Sequence, residues 1–97
     1  MRDVPALANL MGAYFHQDWD IYGDEWDVID VYVRNDPQTA AGALVSDIEA
    51  TLAAFQDEAE LRSFILDDLG ACYLADADGG TYREWLTQIA ARVRAAT

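Results

Sequence analysis

Residues 36–55 read DPQTAAGALVSDIEATLAAF, and the spacing of the apolar side chains in this stretch decides the fold class. Ala41, Leu44, Val45, Ile48, Leu52 and Phe55 recur at intervals of three and four. On a 3.6-residue period they fall on one face over about five turns. Asp36-Pro37 supplies the start: a carboxylate suited to an orphan N–H, then a proline whose missing N–H costs nothing at the first helical position. A long helix with one apolar face needs other elements to cover that face, and the flanking segments supply them.

Downstream, Asp57 with Glu60 opens a fourth helix, carried by Leu61, Phe64 and Ile65 and stopped at Gly70. A connector over 71–80 holds Cys72, Tyr73 and Leu74, then the turn-forming Asp76-Ala77-Asp78-Gly79-Gly80. Thr81 with Glu84 forms a capping box for the last helix, whose Tyr82, Trp85, Leu86, Ile89 and Val93 face the core. Arg92 and Arg94 fall in its final turns, where cations complement the helix dipole. Upstream, a first helix runs from Asp3 to about Gln17, with Pro5 in its first turn and Leu7, Leu10, Met11 and Tyr14 at helical spacing. After a polar loop punctuated by Gly23, Asp24 and Asp27 start a second helix through Val33. Residues 26–33 are rich in β-formers, but Trp26, Ile29 and Val33 share one helical face and no second strand is available to pair. The expectation is an all-α protein, a compact bundle of four or five short helices forming one domain over 1–97.

Composition narrows the function. The 97 residues are 53% hydrophobic, enough to build a core and too apolar for a solvated coil. Eighteen acids face six bases, all of them Arg, for a formal charge of −12. Such a field repels phosphates and anionic membranes and attracts basic partners, so neither nucleic acid nor a membrane is expected as partner. No apolar run approaches a membrane span or a signal peptide, and the lone Cys72 cannot form an internal disulfide. A cytoplasmic protein is expected.

Nothing reads as a catalytic centre. One His, one Cys, no Lys and two helical Ser (Ser46 and Ser63) leave no local nucleophile–base signature, and Gly79-Gly80 is no phosphate loop. Residues 18–24 resemble the opening of an EF-hand, with Asp18, Asp20 and Asp24 at positions one, three and seven and Gly23 at six. Tyr22 and Ile29 replace the ligands at five and twelve, including the bidentate Glu, and remove the site. His16 beside Asp18 and Asp20 reads as a helix-end cap in preference to a transition-metal site. No enzyme, metal or cofactor is expected.

Five blocks of the chain resemble a known family. They are Tyr14-Phe15-His16-Gln17-Asp18-Trp19-Asp20, Tyr22-Gly23, Asp36-Pro37, Asp68-Leu69-Gly70-Ala71-Cys72-Tyr73 and Tyr82-Arg83-Glu84-Trp85-Leu86. In order and spacing they look like the immunity proteins of bacterial contact-dependent growth inhibition systems. That resemblance implies a small cytosolic protein that binds and neutralises a cognate toxin domain delivered by a neighbouring cell. The residues suggest where. Between Asp18 and Asp36 stand seven acids against one base, Arg34, more one-sided than solubility requires. Many delivered toxins are nucleases with basic clefts, and an acidic, aromatic-bearing surface suits such a cleft. Asp18, Asp20, Asp24, Glu25, Asp27 and Asp30 are the expected contact acids, with Tyr22 and Trp26 as anchors. Tyr14, Phe15, Trp19 and Trp85 are expected in the core. Asp67, Asp68, Asp76 and Asp78 form a second acidic patch, and Asp47 and Glu49 are expected as exposed acids of the third helix. The rival readings are a regulatory or adaptor domain on the same bundle and a divergent metal-binding sensor.

Overall fold

The computed structural model describes residues 4–15, 23–71, 73 and 79–96, with the side chains of 37, 40 and 41 left out. Five helices and no strand occur among them. Helix α1 comprises Pro5–Asn9 and a π-helical continuation, Leu10–Tyr14; Phe15 (φ −100°, ψ 39°) leaves the helical region, so the helix ends before the expected Gln17. Helix α2 is Glu25–Asn35. Helix α3 runs over 37–54 as Pro37–Thr39, a π-helical turn Ala40–Leu44, and Val45–Ala54. Helix α4 joins Glu58–Ser63 to a π-helical turn Phe64–Asp68, and α5 is Tyr82–Ala96.

One core gathers residues from all five helices. Leu7, Leu10, Met11, Phe15, Leu44, Ile48, Leu61, Ile65, Leu86, Ile89 and Val93 are inaccessible to solvent. The stripe on α3 is present, with Leu44, Val45 and Ile48 buried and Leu52 and Phe55 half-buried at its end. On α2 the structure corrects the expected face: Val28, Ile29 and Tyr32 are buried, while Trp26 and Val33 pack at the margin. Ile29, at position twelve of the EF-hand pattern, is part of the core, and Asp18, Asp20 and Tyr22 of that pattern lie outside the described residues. Phe15 and Trp85 meet edge to face at 5.0 Å, and Tyr14 stands against Tyr32 at 5.2 Å, which puts Tyr14 half into the core as expected. Trp19 and Asp3, the expected start of the first helix, lie outside the described residues.

The helix ends are tied by side chains from other helices. No side chain at Val4 caps α1; the Asp47 carboxylate on α3 accepts the N–H groups of Ala6 at 2.9 Å and Leu7 at 3.2 Å. Asp47 is therefore a half-buried structural acid and not the exposed one its helix position suggested; Glu49 is exposed and pairs with Arg94. At the start of α5, Thr81 Oγ1 accepts the Glu84 N–H at 3.0 Å, as expected. Glu58 adds a second cap there, accepting from the Tyr82 N–H at 2.7 Å and the Arg83 N–H at 3.3 Å. Arg83 in turn donates to the Leu52 carbonyl at 3.2 Å and to the Phe55 carbonyl, closing the C-terminal end of α3. At the end of α4, Gly70 takes φ +76°, a conformation that only glycine adopts without strain, and the Ala71 N–H bonds back to the Ile65 carbonyl.

Candidate functional site

The acids of α2 are arranged by the way the helix begins. Asp24 is its N-cap: one carboxylate oxygen accepts the N–H groups of Trp26 and Asp27, both at 2.9 Å. Asp27 answers through Oδ2, which accepts the Asp24 N–H at 3.1 Å. This reciprocal box is possible because Gly23 (φ +119°) precedes it; a β-carbon there would stand 2.0 Å from Asp27 Oδ2. The helix register then places Asp27, Asp30 and Arg34 opposite the buried face of Val28, Ile29 and Tyr32.

Asp30 is not a solitary charge. Arg92, from the far end of α5, reaches across and donates through Nε and Nη2 to the two Asp30 oxygens, each at 2.9 Å. The Arg92 guanidinium also lies 5.6 Å from the centre of the Trp26 ring. The hydrogen bonds from Arg92 hold the Asp30 carboxyl below the usual aspartate range, with the charges of Arg92 and Arg34 assisting and partial burial opposing. The acidic face thus carries two bases, Arg34 and Arg92, where the local sequence showed one.

Around the first turn of α2 the surface opens into a cleft shared with the first turns of α5. Glu25 and Trp26 of α2 line it together with Glu84 and Gln88 of α5, and with Tyr73 and Thr81. Glu25 and Trp26 are half-buried and Glu84 is exposed, so two carboxylates share the cleft with a partly accessible indole. Trp85 lies beneath, 4% exposed, with its indole N–H unpartnered among the described residues.

Of the eight expected contact residues, the structure brings Asp24, Glu25, Trp26, Asp27 and Asp30 together on α2. Asp18, Asp20 and Tyr22 lie outside the described residues, as do His16, Cys72, Leu74, Asp76 and Asp78. Two members of this surface escaped sequence reading. Glu84 reads only as a capping residue and Arg92 only as a dipole partner, and both are more than forty residues beyond the end of α2 in the chain. No local pattern reports such proximity.

A family model described as CdiI immunity protein matches residues 3–93, almost the whole chain. No curated protein and no solved structure gives a match.

Proposed function

The chain belongs to the CdiI immunity protein family, and on that premise we infer that it neutralises a cognate nuclease toxin domain by seating its acidic α2–α5 surface in the toxin's basic cleft. CdiI immunity proteins bind cognate toxin proteins. The finer reading is carried by one observation: Glu25, Trp26 and Glu84 form an accessible acid–aromatic–acid cleft beside the carboxylates of Asp24, Asp27 and Asp30. Trp26 is the anchor, an aromatic surface already seen to accept a guanidinium from Arg92. The surrounding carboxylates stand where the phosphates of a nucleic-acid substrate would lie, and they draw a basic cleft in before contact. Asp18, Asp20 and Tyr22, outside the described residues, are included as contacts on the strength of the sequence alone. The protein acts as one domain over 1–97, in the cytoplasm, by stoichiometric contact without cofactor or catalysis. No helix among the described residues is long and apolar enough to cross a membrane.

The test is coexpression with the toxin domain encoded beside it. The expected result is an isolable complex, restored growth, and nuclease activity that vanishes at equimolar addition. A toxin that stays active in the presence of excess folded protein overturns the immunity reading; a neutralised toxin that cuts no nucleic acid overturns the nuclease part alone.

A further inference from the structure

A second groove lies away from α2, between the C-terminal end of α3 and the outer face of α4. Its floor is a pair of stacked phenylalanines, Phe55 and Phe64, with ring centres 4.7 Å apart and planes inclined by 26°. Phe64 is almost fully buried, whereas Phe55 is half-buried and presents part of its ring to the groove. Glu60, Asp67 and Asp68 stand around the rim, all exposed, with Ala59 and Ser63 completing the wall. The three carboxylates do not converge as a metal-ligand set, since no such cluster occurs among the described residues. They surround the aromatic floor.

Two of these acids are misplaced for the helix that bears them. Asp67 and Asp68 occupy the last turn of α4, immediately before Leu69 and Gly70 close it, and that turn holds no base. A helix C-terminus carries partial negative charge, so carboxylates there work against the dipole. Neither residue caps anything among the described residues. Local rules broken without a structural return are expected where a surface serves a partner.

The groove's chemistry specifies its occupant. An aromatic face within a ring of carboxylates suits a flat, weakly hydrated cation: a guanidinium can stack on Phe55 while its fork of N–H donors meets the carboxylates. We propose that the Phe55–Phe64 groove, rimmed by Glu60, Asp67 and Asp68, is a second docking site that receives an arginine side chain of the toxin domain. The identity of that partner rests on the immunity reading above; the arginine specificity does not.

The test therefore begins without the toxin. Nuclear magnetic resonance titration with a short arginine–leucine peptide is compared with the same peptide carrying citrulline, which keeps the shape and loses the charge. The arginine peptide should shift Phe55, Ala59, Ser63 and Phe64 saturably, and the citrulline peptide should bind about tenfold more weakly or less. The double variant Asp67→Asn, Asp68→Asn should lose binding by a similar factor of about ten while its melting temperature rises, because the opposed dipole is relieved. Equal response to citrulline, shifts spread over Glu25 and Glu84 instead, or an Asn variant that melts lower or binds like the wild type would each overturn the site. In the toxin complex the same double variant should dissociate faster. If the groove binds the arginine peptide but no toxin complex forms at all, the immunity reading fails and the arginine site stands.

Discussion

Gly23 and Tyr32 show how single side chains set the terms of the acidic face and the core beneath it. A β-carbon at position 23 would collide with Asp27 Oδ2 at 2.0 Å, on a backbone already at φ +119°. Gly23→Ala should therefore break the Asp24–Asp27 box and lower stability by about 1–2 kcal/mol, read by urea denaturation. A loss near zero would mean that the box contributes nothing. Tyr32 makes the opposite case. Its hydroxyl is buried without a hydrogen-bond partner among the described residues. Burial first, then the charges of Asp36, Tyr14 and Asp47, push its pKa up to about 12. Tyr32→Phe should consequently leave stability unchanged or raise it by about 1 kcal/mol, because it removes an unsatisfied polar atom. The pH dependence follows with a definite sign. The raised pKa means the folded state holds its proton longer than the unfolded chain, so stability is lost as pH rises from about 10 to about 12. Tyr32→Phe should flatten that alkaline loss; a variant as alkali-sensitive as the wild type would remove Tyr32 as its cause. Asp30 titrates in the other direction. Its carboxyl is held low by Arg92, so the pair's contribution is present above the ordinary aspartate range and fades as pH falls below it. Both partners are 43% exposed, which keeps that contribution under about 1 kcal/mol.

Helices in this protein are closed by one another. Asp47 holds the start of α1, Glu58 the start of α5, and Arg83 the end of α3. Asp47→Ala and Glu58→Ala should each cost about 1 kcal/mol, the usual loss of an N-cap, whereas Glu49→Ala on the same helix as Asp47 should cost under about 0.5 kcal/mol. Denaturation of the three variants separates capping from surface ion pairing, and equal losses at Asp47 and Glu49 would refute the cross-helix caps. These caps also mark where sequence reading stops. The stripe of Leu44, Val45 and Ile48, the Asp24 start of α2, the Gly70 stop and the core face of α5 are all written in local spacing, because 3.6-residue periodicity and cap chemistry act within one or two turns. Asp47 looked exposed because it lies off the apolar stripe of α3, and nothing within α3 reveals that α1 begins over it. Asp57 caps α4 as expected, accepting the Ala59 N–H at 2.9 Å, but its neighbour Glu58 reaches the start of α5, which no spacing within α4 announces. The π-helical turns at 10–14, 40–44 and 64–68 rotate the residues that follow them, which a constant period cannot foresee. The candidate site divides the same way: the α2 acids were legible as a charge run, while Glu84 and Arg92 reached that surface only through packing of α5 on α2.

A formal charge of −12 gives the whole molecule a field that acts before any contact is made, and the structure allows its local and global parts to be separated. Reversing Asp24 or Asp27 would confuse the two, because both close the start of α2. Glu25 and Glu84 have no such duty through their carboxylates among the described hydrogen bonds, and both line the cleft beside Trp26. Glu25→Lys with Glu84→Lys changes the net charge by four units. A control with the same change places lysines at Ser46, Glu49 and Ala50, all exposed on α3. If the cleft meets the toxin, the first variant should slow association about tenfold or more, and the control should slow it by no more than about threefold, since charges near the contact dominate steering. The wild-type rate should also fall with salt, as the Debye length shrinks from about 30 Å at 0.01 M to about 8 Å at physiological ionic strength, and the cleft variant should lose most of that dependence. Dissociation should quicken in the cleft variant alone, because only there would a lysine face the toxin's bases at short range. Stopped-flow association against the toxin domain decides the matter. Equal slowing by the two variants would mean that the acids act only through net charge, and the contact would then have to lie on another face, with the Phe55–Phe64 groove the next to be tried.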